Sequence, residues 1–200
     1  MTWRMVSESD LASLSIPLRF LSRSDAYLDS ASRLCTVLKR SPKKSNYDRG
    51  SVVLFLTRHA IELFLKGAIL ERKPNEKLGS HDIQALSKQY NNLYRDKKYE
   101  LHAPFINKDE ADLSDLYSPE DIEEVKSFIK KSERKNPPDQ RYRYPGNREG
   151  QPWDGAVGFE PESCLVVIKK LKADIAQVAN LIFPANTVLR GRRGKAARRV

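Results

Sequence analysis

His59, Glu62 and Lys66 stand three and four residues apart, a spacing that puts all three on one side of a helix. A histidine beside a carboxylate can act as a general base, and a lysine one turn further can hold a phosphate. The same trio can instead be a buried polar network tying its helix to its neighbours. The residues favour that role, because buried charge survives only when paired. Arg58, four residues before Glu62, adds a helical ion pair and argues the same way. His81 follows Gly79-Ser80 at the head of another helical pattern, where it can contribute to a binding site or, more simply, cap and pack.

The stronger anion candidate is Arg141-x-Arg143, with Tyr144 beside it. On an extended segment the two arginines point the same way, and each offers a planar fork to phosphate or carboxylate. The competing role for one of them is to neutralise Glu62, or an acid such as Asp25 or Asp29. Metal and serine chemistry find little support. His59, His81 and His102 lack ligand spacing, no two cysteines lie near each other, and no Gly-x-Ser-x-Gly occurs. No metal and no cofactor is expected.

These residues need helices to position them. Phe20, Tyr27, Ala31, Leu34 and Leu38 mark one face of a first helix, from Pro17 to near Arg40. Ser41–Gly50 reads as a polar connection. A second helix, from about Ser51 to Arg72, is apolar nearly all round, so it is expected at the centre with its polar exceptions paired. A third begins at Ser80 as N-cap, with the face Ile83, Leu86, Tyr90 and Leu93. A fourth opens at Ser118-Pro119-Glu120-Asp121, and its mostly charged surface makes it peripheral. Between Arg134 and Pro161 lie five of the eleven prolines and four of the nine glycines, a long loop whose Tyr142, Tyr144 and Trp153 predict an ordered part packed on the body. The last helix, Pro161 to Phe183, carries the seam Cys164, Ile168, Leu171, Ile175, Val178 and Ile182. That seam is more than one neighbour needs, which predicts a homodimer through this helix or the face beside it. The class is all-α, an antiparallel bundle of four to five helices.

At 200 residues with 40% apolar and 31% charged side chains, the chain makes one domain, expected over residues 1–189. No apolar run is long enough to span a bilayer, and the first residues lack the apolar core of a secretory signal. Two cysteines are too few for a disulfide scaffold, so a cytoplasmic setting is expected. Net charge is +10, but six of the 36 cations fall in residues 190–200, leaving 30 against 26 acids before them. That tail, with Arg192 and Arg193 at its heart, is expected to be disordered and to hold phosphates without reading sequence, or else only to solubilise the chain.

With those residues in place, the chain from about Asp25 to Phe183 resembles a HEPN domain (higher eukaryotes and prokaryotes nucleotide-binding). The likeness rests on Ala26-Tyr27-Leu28-x-x-Ala31, then Arg58-His59-Ala60-Ile61-Glu62-Leu63-Phe64-Leu65-Lys66-Gly67. It continues through His81-Asp82-Ile83-x-x-Leu86 and Arg143-Tyr144-Pro145. The resemblance implies a bundle of four or five helices, frequent homodimers and roles around RNA in prokaryotic defence and toxin–antitoxin systems. Many members are metal-independent ribonucleases with an Arg-x(4–6)-His motif. Its one match here runs from Arg95 to His102, earlier in the chain than the family usually carries it, and the last helix holds no histidine. The leading expectation is therefore a binding domain for RNA or a nucleotide. The alternatives are a ribonuclease using Arg95 and His102, and a non-catalytic subunit that docks on a cognate protein.

Overall fold

The computed structural model describes Ser7 and residues 11–103, 118–135, 137–147, 149–153 and 159–183. The expected basic tail, with Arg192 and Arg193, lies outside the described residues. Helix α1 (Ile16–Arg40) and helix α2 (Tyr47–Arg72) form an antiparallel pair. The buried stripe of α1 is Leu21, Ser24, Leu28, Ala31, Cys35 and Leu38, a three-four repeat. It is rotated from the face expected: Phe20, Tyr27 and Leu34 are only half-buried on its flank. Ser24 had masked it, a polar residue in the middle of the seam. Its hydroxyl donates to the Ala60 carbonyl at 2.7 Å, so its burial costs little. Close approach is completed at Gly67, where a Cβ would lie 3.0 Å from the Pro17 carbonyl oxygen and from Phe20 Cβ.

Helix α2 starts four residues before the expected Ser51, so the polar connection is shorter than Ser41–Gly50. Asn46 provides the reason: its side chain accepts from the Arg49 amide at 3.1 Å and caps the helix. Gly50 then falls inside the helix, against the ring of Phe159. From Ala60 to Ile69 every residue of α2 is buried, as its all-round apolar pattern predicted. Helix α3 (Ile83–Leu93) is capped by Asp82, which accepts from the Gln84 and Ala85 amides, and not by Ser80. Its Tyr90, with Tyr94 just beyond the helix, closes the core. Tyr90 donates to the Tyr99 carbonyl and Tyr94 to that of Ala68. Burial pushes both phenols up, Tyr94 to about 12.

After a short 3-10 turn (Lys97–Tyr99), helix α4 (Pro119–Lys135) opens where expected, with Ser118 and Asp121 hydrogen-bonded at its start. It is peripheral: Phe128 is 71% exposed. A single turn, α5 (Pro138–Arg141), interrupts the Pro- and Gly-rich stretch. Helix α6 (Pro161–Ile182) is capped by Glu160 and runs antiparallel to α1, fastened by Lys39 to Glu162 at 2.5 Å and by Lys172 to Asp29. The α6 seam is consumed inside the chain. Leu165, Ile168, Leu171, Ile175, Val178, Ala179 and Ile182 are all buried against the chain's own helices, while Val166, Val167 and Leu181 of the same helix are exposed. The two cysteines, distant in sequence, also meet here, in a thiol–thiol hydrogen bond from α1 to α6. That contact and burial push the Cys35 thiol up, while the bond draws Cys164 down. Among the described residues no strand occurs, only a bridge between Gly146 and Pro152. No helix there is long and apolar enough to cross a membrane.

Candidate functional site: an anchored histidine and a stacked arginine

Glu62 is 5% exposed on the central helix, so its charge must be answered locally. Lys66 Nζ lies 2.8 Å from Oε1, His81 Nδ1 2.9 Å from the same oxygen, and His59 Nδ1 3.3 Å from Oε2. Burial works to raise the carboxyl. Hydrogen bonds from His59 and Lys66, together with the lysine charge, outweigh it and hold the group down at about 2. The buried network expected of His59, Glu62 and Lys66 is therefore present. His81 is its fourth member, not a cap, since Asp82 caps α3 one residue later. An extended turn at residues 79–82 carries His81 back over α2, with the Asp82 amide held by the Ser80 hydroxyl.

The outer side of the network is aromatic. The ring of His59 meets the edge of Tyr27 at 4.7 Å and stacks on Phe55 at 5.6 Å. Above Phe55 lies the guanidinium of Arg143, 5.4 Å from the ring centroid and 6.0 Å from that of Tyr144. A guanidinium over aromatic rings is drawn to them by cation–π attraction and still carries N–H donors for other acceptors. Arg143 does not lie on an extended strand with Arg141. Arg141 ends the α5 turn and is half-buried. Arg143 follows in a turn, its amide donating to the Gln140 carbonyl, and is exposed. The competing role for Arg143, neutralising Glu62, belongs to lysine and histidine instead. Asp29 is taken by Lys172.

The loop beyond Arg143 is built. Asn147 Oδ1 accepts from the Glu149 and Gln151 amides, its own amide donates to the Gln151 carbonyl, and Gly150 sits at φ 75°, where a side chain would be strained. At Gly146 a Cβ would stand 2.8 Å from the Gln151 carbonyl oxygen. Trp153 Nε1 ties the end of the loop to the Tyr144 carbonyl at 2.6 Å, the ordered packing its aromatics predicted. Between this loop and His81 opens a cleft of about 840 Å³, lined by His81, Gln140, Arg143, Tyr144, Asn147 and neighbouring Pro and Gly residues.

Comparison with family models, curated proteins and solved structures gives no match. The site therefore stands on its own geometry. It brings His81, Arg143 and Tyr144 to one cleft, with Glu62 and Lys66 buried and His59 half-buried on α2 beside it. Arg95 and His102 lie elsewhere, exposed on the segment after α3. Arg95 Nε donates to the Asn92 carbonyl, and His102 Nε2 is 3.5 Å from a Glu100 oxygen. Gln140 and Asn147 were missed in the sequence, although Asn147-x-x-Gly150 is a turn signal. Tyr27 read only as a packing residue, because nothing in its own segment announces the histidine it receives; Phe55 stands one turn before His59 on α2, but nothing there announces Arg143.

Proposed function

We propose that this chain is a HEPN-like helical domain that binds RNA or a nucleotide in the cleft between His81 and the Arg143 loop, in a prokaryotic defence or toxin–antitoxin setting. The observation that carries the reading is Arg143. It is an exposed cation held over the rings of Phe55 and Tyr144, with a histidine lining the same cleft. A phosphate fits the guanidinium edge and the imidazole, and a base or sugar fits the flat Tyr144 side, which is half exposed. The helical class and the His59–Glu62–Lys66 stripe agree with the sequence likeness, and the basic tail would add affinity without selectivity.

The test is titration of a fluorescein-labelled single-stranded RNA of about 20 nucleotides, with ATP as competitor, at low salt. Arg143→Ala should weaken RNA binding by about tenfold or more, as expected for loss of a charged hydrogen-bonding partner. Arg141→Ala should matter less, because Arg141 does not line the cleft. Absence of binding by the intact chain would refute the proposal and leave a protein-docking subunit as the reading to pursue.

A further inference from the structure

Cys35 and Cys164 are far apart in the sequence, and the fold brings them together where α6 begins to pack on α1. Cys35 is fully buried in the stripe of α1, between Ala31 and Leu38. Cys164 stands in the first turn of α6 and is half-buried, so the pair has one sheltered thiol and one at the edge of the core. The hydrogen bond between them draws the Cys164 thiol down, against burial and the nearby Glu160 carboxylate. The same bond, with burial, pushes Cys35 up and keeps it protonated. The surroundings hold the two sulfurs in register. Lys39, one turn beyond Cys35, bonds to Glu162, and Phe159 just before α6 sits against Gly50 of α2. Two packed cysteines can serve as small core residues and nothing more. The asymmetry here points further. A partly exposed thiol with thiolate character, hydrogen-bonded to a sheltered second thiol, is the arrangement of an oxidisable cysteine and its resolving partner.

We propose that Cys164 is a site of oxidation by hydroperoxides and that Cys35 resolves it, closing a reversible disulfide between α1 and α6. The Cys164 thiolate attacks one peroxide oxygen, the O–O bond breaks, and the departing hydroxide takes a proton to become water. Cys164 is then a sulfenic acid. The Cys35 sulfur attacks the Cys164 sulfur, the S–S bond forms, and the S–O bond breaks. The hydroxyl leaves with the Cys35 proton as a second water. Two thiols have given two electrons to one peroxide, and a dithiol reductant reverses the change by exchange. Bond formation draws the sulfurs in to about 2.05 Å. The first turn of α6, a helix end, can make that movement more readily than the interior of α1. The loop so closed contains α2, α3 and the cleft residues His81, Gln140, Arg143, Tyr144 and Asn147. A cross-link over a long loop restricts the unfolded chain most, so oxidation makes the domain harder to unfold. This holds whatever the cleft binds.

The test exposes the reduced full chain to hydrogen peroxide, blocks remaining thiols with an alkylating reagent, and maps the unreduced digest by mass spectrometry. The expected product is a single chain lighter by two hydrogens, with no thiol left to alkylate and a Cys35–Cys164 peptide pair that dithiothreitol separates. Its urea midpoint should move up on oxidation and return on reduction. In Cys35→Ala, dimedone should label Cys164 and the midpoint shift should be gone. In Cys164→Ala, peroxide should leave Cys35 unmodified. The map of the parent chain needs no variant, so it decides the matter even if a cysteine substitution disturbs the packing. Both thiols surviving a dose that oxidises a free cysteine peptide would overturn the proposal. So would Cys164 driven to the sulfinic acid beside a reduced Cys35, or a disulfide formed between two chains. A Cys35–Cys164 bond that lowered the midpoint would also overturn it, because the bond would then form only by breaking the native contact.

Discussion

Glu62 sits where burial by itself would raise a carboxyl, and the hydrogen bonds and charge of His59 and Lys66 reverse that outcome. Its folded-state value, about 2, lies below the usual 4.5, so the stabilisation is fully present above that usual value. It is lost as pH falls from there toward 2. The difference corresponds to about 3 kcal/mol. Glu62→Gln should therefore lower stability near neutral pH by roughly that amount, leaving Lys66 buried without its counter-charge. The gap to the parent should narrow as acid protonates the parent carboxylate. Urea unfolding at neutral pH and near pH 3 checks this, and an equal gap at both would contradict it. The stripe of His59, Glu62 and Lys66 was legible because i, i+3 and i+4 positions share a helix face whatever the tertiary fold. His81 was not, because its partner lies across the turn between α2 and α3. Asp82, one residue on, takes the capping role that the sequence offered to His81. Arg143 was found as an anion residue, but its seat on Phe55 depends on how the loop returns to α2.

Among the elements, α2 was readable almost to its ends, since a helix apolar on every side has only one place to go. The buried side of α1 was harder to read: Ser24 sits in its seam, and only the Ala60 carbonyl explains why. Gly67 gives that crossing a direct test. In an exposed helix, replacing glycine gains up to about 1 kcal/mol of propensity, least for β-branched residues. Here the new Cβ would press on the Pro17 carbonyl and Phe20, and valine adds two methyl groups beyond it. Gly67→Val should cost about 2 kcal/mol or more by overpacking and lower the melting midpoint, where an open site would have gained. Asp82→Ala tests the α2–α3 junction. It removes the acceptor for two amides of α3 and should cost about 1 kcal/mol, measured by urea unfolding. An unchanged midpoint in that variant would mean that the turn holding His81 is set by Ser80 and Glu62 without the cap.

For the molecule as a whole, helical periodicity sufficed for the all-α class, and the peripheral place of α4 followed from its charge. The seam of α6 looks surplus along one helix but is shared among α1, α2 and α6 once they pack, so it is not by itself an argument for association. Charge distribution sets the remaining expectation for the intact chain. Residues 191–200 carry Arg192, Arg193, Lys195, Arg198 and Arg199 with no acid, while Arg143 stands in a defined cleft. Cations that hold phosphates by counterion release act through the salt dependence of binding, by about 0.7 in log–log slope for each contact on a single strand. Deleting residues 191–200 should therefore flatten that slope by about three when most of the five charges engage, with the largest loss of affinity at low salt. Arg143→Ala should weaken binding at every salt concentration and leave most of the slope in place, because it removes one contact and the stacking seat beside it. Titrations of the labelled RNA across a tenfold range of salt separate the two. A slope unchanged by the deletion would place the affinity in the cleft alone, and a slope lost with Arg143 would mean that the tail engages RNA only after the cleft has captured it.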